Sequence, residues 1–454
     1  MTTQSLLSRF SSKLLINHNY ALLWSGQAVS SLGDSIYDLT LTVWIVAVIA
    51  RQPNGQPAAW APLAVSGVLL AVALPSLFFG PVAGVFVDRW NKKPTMLRAD
   101  LLRMFLVLCL LLVSGLSFLP WRPGMTVQLS AIYTTVFLTS ICSQFFTPAR
   151  AALLVDIVDK KQFGRASGLA QIAQSMASIL GPPLAAPVLF GFGLQWALLF
   201  NALTFLVSFL CIQTIQAPVT KSTSQEIQMN FGREFLEGIN FSFKNNVLQV
   251  LLIVVVVASL GAGAINALMI FFVTQNLHIN VTYVGLLDGA FGIGIIVGAI
   301  LMSVLANKVK LTQMFTCAIL GFGILFLLLA RTSYLPVALP ILLCLGLTQA
   351  MLNVTLVPIA LSVLPQKMVG RFVGTLNPLG VLASLISVSL AGYLASGLLR
   401  NFHTSFLGFS FGPIDTIFTL SALLFLVSGL YALIRLHITP TATPLEEGAA
   451  LSTE

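Results

Sequence analysis

The stretch Gly84-Val85-Phe86-Val87-Asp88-Arg89-Trp90-Asn91-Lys92-Lys93 decides the fold. It follows about twenty apolar residues and leads into another long apolar run. A carboxylate and three cations are costly to hold at the end of a membrane span. The stretch therefore reads as a short charged hinge between two transmembrane helices.

The composition agrees. Of 454 residues, 57% are hydrophobic and only 8% are charged. No soluble fold hides that much apolar surface. The apolar runs reach twenty residues or more, which selects helices over the short alternating strands of a membrane barrel. The net charge of +9 does not point to nucleic acid, because the basic residues fall in alternate loops, as membrane orientation requires. The five cysteines lie singly in apolar runs without CxxC spacing, so no metal and no disulfide framework is expected. No HExxH, GxSxG or phosphate-binding glycine loop occurs. The chain is thus expected to be no enzyme and to need no cofactor. A pump built this way would have to draw on an ion gradient.

Twelve spans are predicted, near 20–50, 61–87, 95–118, 127–148, 166–190, 195–217, 246–276, 282–306, 312–331, 335–361, 372–397 and 412–436. The polar insert between the sixth and seventh divides the chain into a six-helix bundle (1–217), a linker (218–245) with a surface helix near 229–243, and a second six-helix bundle with a short tail (246–454). All but four of the 23 Lys and Arg fall on one side. Both termini and the linker are therefore expected in the cytoplasm. Residues 1–19 read as an amphipathic lead-in rather than a cleavable signal. The acidic tail, 444–454, is expected to be disordered.

The halves echo one another. Ser31-Leu32-Gly33-Asp34 matches Ser259-Leu260-Gly261-Ala262, and Asp38 matches Asn266. Lys161-Gln162-Phe163-Gly164-Arg165 matches Lys367-Met368-Val369-Gly370-Arg371, and Lys308-Val309-Lys310 faintly echoes the hinge. Parallel six-span repeats around a central site suit a rocker-type transporter.

Several intramembrane groups are candidates for chemistry. Asp34 and Asp38 lie four apart and share a helix face with Gln27 and Ser31. A carboxylate there could carry a proton across or attract a cationic substrate; alternatively it bonds to a polar neighbour. Asp288 is a third candidate, either a proton carrier, a partner for a polar group, or a residue dipping into outer water. Gln171, Gln174, Asn266, Gln349 and Asn353 add polar positions, with Gln144 and Asn377; such amides also serve as glue between helices. No basic residue is read as mid-span, and Arg150 is placed at the end of span four. That favours a neutral or cationic amphiphile over an anion. Gly181 and Pro182, followed by Pro183, are expected to kink span five and let it slide on the glycines of span eight, Gly285 to Gly298. Close packing of small residues is the plainer alternative.

The hinge, Asp88-Arg89-Trp90-Asn91-Lys92-Lys93 after Gly84, resembles the motif between helices two and three of the major facilitator superfamily. Phe145-Phe146-Thr147-Pro148-Ala149-Arg150, Gly181-Pro182-Pro183-Leu184, Asn201-Ala202-Leu203-Thr204-Phe205-Leu206-Val207-Ser208 and Leu32-Gly33-Asp34 are similar to the branch with macrolide-efflux and enterobactin-export proteins. Two features depart from neighbouring drug antiporters: no arginine is read within span four, and Ala185-Ala186 stand where paired glycines are usual. The resemblance implies a twelve-helix, all-α membrane fold of two bundles with pseudo-twofold symmetry. It implies a conformational latch at Gly84, Asp88, Arg89, Lys92 and Lys93, with Asp88 docking near the start of span eleven. It also implies a proton-coupled exporter in the plasma (inner) membrane, acting as a monomer. An importer of a small metabolite on the same scaffold, or a non-transporting membrane sensor, are the alternatives.

Overall fold

A computed structural model describes residues 16–438 apart from 54–56, 116–122, 160–161, 217–239, 241, 244, 306–308, 365, 403 and 407–408. The lead-in up to residue 15, most of the expected linker helix, residues 306–308 of the hinge echo and the acidic tail fall outside the described residues.

The described residues form twelve long helices: α1 (His18–Trp44), α2 (Ala61–Arg89), α3 (Lys92–Val113), α4 (Met125–Ile157), α5 (Phe163–Pro187), α6 (Leu194–Thr214), α7 (Asn246–Phe271), α8 (Val284–Leu305), α9 (Leu311–Ala330), α10 (Leu335–Leu361), α11 (Gln366–Tyr393) and α12 (Pro413–Ile438). Among the described residues, ten of the helices are long and apolar enough to cross a membrane. The other two are α3, which opens on Lys92 and Lys93 and carries Arg98, Asp100 and Arg103, and α5, rich in Gln, Ser and Gly. The chain is therefore a helical membrane protein of the predicted class. A small antiparallel hairpin, Thr404–Phe406 with Phe409–Phe411, is added between α11 and α12.

One span differs from its expected bounds in a way that matters. Span four was read as ending at Pro148, yet α4 runs on to Ile157 with Pro148 inside it. The helix also persists through Pro182 and Pro183 in α5. A proline removes one N–H and crowds the preceding turn, but the packing of the flanking turns holds the helix together. After α5 the chain passes a π turn, Val188–Phe192, and reverses at Gly193, whose φ of 97° only glycine adopts freely.

The sequence echo is visible in backbone geometry. The first and fifth helices of each half, α1, α5, α7 and α11, run into π turns at Ile45–Ile49, Val188–Phe192, Phe272–Asn276 and Leu394–Leu398. Asn201–Ser208 of α6 and Ser421–Ser428 of α12 agree at all but two of eight positions.

By contacts the chain divides into two units. One takes the described residues of Met1–Ile227, Ala267–Gly289 and Val388–Phe402; the other takes those of Gln228–Asn266, Ala290–Ser387 and His403–Glu454. The division crosses the sequence halves because the first stretch of α8 and the last of α11 pack on α5 and α2. A Cβ on Gly285 would stand 2.3 Å from the Pro182 carbonyl oxygen, and one on Gly392 would stand 2.3 Å from Ser66 Oγ. The Leu63 amide donates to Ser396 Oγ at 3.0 Å.

Within the first unit, α1 lies against α6 at Gly26 and Gly33, with Ser30 buried between them in the sequence. A Cβ on Gly33 would collide with Thr204 and Asn201, and one on Gly26 would crowd Cys211. This small-residue stripe lets the backbones approach. An apolar core at the hinge end gathers Tyr20, Leu23, Val87, Met96, Phe146 and Leu153. Within the second unit the contact between α9 and α12 is aromatic, with Phe322 on Phe425 at 4.6 Å and Phe326 on Phe418 at 5.0 Å between ring centres. Beyond the end of α9, Arg331 bonds to the Asp415 carbonyl and to Thr419 and lies over the Phe411 ring.

Candidate functional site

The polar groups of the first unit form a chain through its interior. Arg103 and Asp100 of α3, both buried, are hydrogen-bonded as an ion pair one helical turn apart. Ser208 Oγ of α6 donates to the other Asp100 oxygen at 2.7 Å. Gln27 Nε2 of α1 donates to the same Ser208 oxygen at 3.1 Å, and Arg150 of α4 donates to Gln27 Oε1 at 3.4 Å. The Arg103 guanidinium lies over the Phe146 and Phe205 rings, 4.4 and 4.7 Å from their centres. Two aromatic rings thus meet this cation.

This arrangement corrects two expectations. Arg103 stands near the midpoint of α3, so a basic residue does lie mid-span. Arg150 lies inside α4, two turns before its end, rather than at that end. The inference that the substrate is neutral or cationic rested on their absence and loses that support. Asp100 and Arg103 escaped the reading because they belong to a helix whose first turns are charged anyway. Their i, i+3 spacing inside an apolar run was the signal available.

A cavity of about 250 Å³ opens beside this chain, between α1, α4 and α5. Gln27, Ser31, Gln171 and Gln174 line it, as do Tyr20, Trp24 and Arg150. Ser31 Oγ donates to Gln174 Oε1 at 3.1 Å. The structure therefore brings together three of the predicted amides with an arginine and two aromatic residues that had not been nominated.

Asp34 and Asp38 are not part of that lining. Asp34 is half-buried and Asp38 exposed, and among the described residues no group hydrogen-bonds to either carboxylate. Arg103 and Asp100 are close enough to act electrostatically on Asp34. The predicted stripe on α1 thus divides, Gln27 and Ser31 lining the cavity while the two acids lie outside it. Asp288 on α8 is half-buried, also without a hydrogen-bond partner among the described residues. Asn266 is exposed on α7. Gln349 and Asn353 bond to each other along α10 at 3.1 Å. Gln144 is half-buried and Asn377 exposed.

At the hinge, Gly84, Asp88 and Arg89 occupy the last turns of α2, and their side chains lie outside the described set. The two lysines have partners among the first six helices. Lys92 Nζ pairs with Asp156 of α4 at 2.7 Å, and Lys93 Nζ donates to the Gln213 and Ile215 carbonyls at the end of α6, at 2.8 and 2.7 Å. A cation at a helix C-terminus satisfies its last carbonyls and complements its dipole. Gly181 sits against Ser35 of α1, with Pro182 beside Gly285 and Pro183 beside Gly289 of α8.

Comparison with known proteins agrees with this architecture. Residues 11–391 match the family described as transmembrane secretion effector, MFS_3. The chain is 22% identical to the MFS-type transporter YkuC of Bacillus subtilis (strain 168), over 86% of this chain and 89% of that one. It is 27% identical to macrolide efflux protein A of Streptococcus pyogenes, over 66% and 70% respectively. Among solved structures, a bacterial homologue of the iron transporter ferroportin in its inward-facing state superposes with a TM-score of 0.70 at 14% identity, covering 92% of this chain and 98% of that one. A D-xylose–proton symporter superposes with a TM-score of 0.68 at 14% identity, covering 93% and 98%. Twelve long helices, a charged hinge after the second and a family match over most of the length have one reading: this chain belongs to the transmembrane secretion effector family of major facilitator transporters.

Proposed function

We propose that this transporter is a proton-coupled exporter of small amphipathic compounds, working by alternating access. The observation that carries the reading is the pair of carboxylates on α1. Asp34 and Asp38 stand one turn apart with no hydrogen-bond donor among the described residues, and a mobile proton requires carboxylates that are not already committed. Asp288 is a further proton carrier in this scheme, and Asn266, Gln349 and Asn353 extend the polar path. Likeness to macrolide efflux protein A supports the outward direction.

In this reading the two sequence halves, 1–217 and 246–454, rock about the cargo, with the termini and the 218–245 linker in the cytoplasm of a monomer in the plasma membrane. Asp88, with Gly84, Arg89, Lys92 and Lys93, latches the hinge end in one conformation. The close approach of Gly181 and Pro182 to α1 and α8 serves as a gating contact.

The test is a resistance and efflux panel, including macrolides, in a cell stripped of its own pumps. Wild type is expected to lower drug accumulation, and dissipating the proton gradient is expected to abolish the effect. Asp34→Asn and Asp38→Asn are compared with it; full proton-driven efflux in both removes the α1 acids as the coupling site. Accumulation that rises with an inward proton gradient would establish an importer instead.

A further inference from the structure

We infer that the cavity between α1, α4 and α5 binds the carboxylate head of an amphipathic ligand against the Arg150 guanidinium. Arg150 presents five N–H donors, yet its hydrogen bonding among the described residues is one long contact of 3.4 Å to the neutral Gln27 amide. Among the described residues the ionised group that acts on it is Arg103, a like charge, and Arg103 is already matched by Asp100. Lys92 holds Asp156, the nearby acid of the same helix. A half-buried cation in a membrane protein therefore lines a cavity of about 250 Å³ with its charge unmatched among the described residues.

The rest of the lining is fixed around that charge. Gln27 spends its amide nitrogen on Ser208, which turns its oxygen toward Arg150. Tyr20 Oη and Trp24 Nε1 donate to the Ala166 and Leu169 carbonyls, at 2.7 and 2.8 Å, so what these residues leave for the cavity is apolar ring surface. One planar cation beside apolar walls suits a carboxylate on an apolar body, which a guanidinium grips in two parallel bonds. A cationic head would add a third positive group beside Arg150 and Arg103. A neutral one would leave the guanidinium unmatched.

The inference rests on the exporter reading only if that ligand is the transported compound; binding itself is independent of direction. The test is calorimetric titration of the full-length protein in nanodiscs, corrected with empty nanodiscs, using 1-naphthoate, 1-naphthamide and 1-naphthylmethylammonium as probes. Wild type is expected to bind the naphthoate at least about tenfold more tightly than the amide, as a charge-assisted hydrogen bond allows. Arg150→Gln is expected to erase that preference while leaving amide binding in place, and Arg150→Lys to keep part of it. Equal affinities in wild type, a tighter cation, no binding of the naphthoate, or an undiminished preference in Arg150→Gln would each overturn the inference. If Arg150→Gln fails to fold, the wild-type series and Arg150→Lys decide. Loss of efflux in cells with the naphthoate preference intact would count against the exporter reading alone.

Discussion

Gly181 of α5 lies so close to Ser35 of α1 that a Cβ on the glycine would stand 2.3 Å from the serine Cβ. The repeat places Gly263 of α7 where Ser35 stands and Ser387 of α11 where Gly181 stands. There the two residue types are exchanged, and a Cβ on Gly263 would stand 2.7 Å from Ser387 Cβ. The crossing has room for one Cβ, and each half supplies it from the opposite helix.

This exchange makes a direct prediction. Gly181→Ser is expected to lower stability by about 1–3 kcal/mol through overpacking. Adding Ser35→Gly is expected to recover much of that loss, because the double variant copies the arrangement of the second half. Thermal unfolding in detergent compares the two; a double variant no better than Gly181→Ser would show that the crossing is not limited by this one Cβ.

The Asp100–Arg103 pair is predicted to behave as a buried ion pair. Removing one partner, as in Arg103→Leu or Asp100→Leu, leaves the other charge stranded and is expected to cost about 3–5 kcal/mol. Replacing both at once, Asp100→Leu with Arg103→Met, is expected to cost clearly less than either single change. A double-mutant cycle on melting temperature reads the coupling. Additive losses would mean that the two charges are not energetically joined.

Lys92 and Asp156 are half-buried, so their pair is worth less. Asp156→Asn is expected to lower stability by about 1 kcal/mol or less. The charge reversal Lys92→Asp with Asp156→Lys is expected to restore part of it. Melting curves at low and high salt check this, since a pair open to water weakens as salt rises.

Asp88→Asn is expected to reach the membrane at normal levels and to transport at a small fraction of the wild-type rate. Quantitative blotting of membranes beside an efflux assay separates the two effects. Wild-type rates in this variant would dismiss Asp88 as a latch.

The sequence by itself determined the class, the number of helices and the place of the hinge. Apolar runs of membrane length are a one-dimensional signal, and so is a charged interruption such as Asp88 to Lys93. It also exposed the repeat, because Gly33 and Gly261 must both be small where a neighbouring helix crosses. It placed Gln27, Gln171 and Gln174 among the polar candidates, and the cavity lining includes all three. What it did not reveal depended on pairs distant in the chain. Arg150 was expected at the end of span four, near 148, whereas tertiary packing carries α4 on to Ile157. Asp100 and Arg103 looked like part of a charged helix start until Ser208, Phe146 and Phe205 closed around them from two other helices. Whether a buried charge is enclosed or turned toward a cavity depends on side chains that other helices bring to it from distant parts of the chain. Composition and periodicity carry no record of those neighbours, so only the tertiary structure decided which charges are bound to one another and that, among the described residues, Arg150 meets no carboxylate.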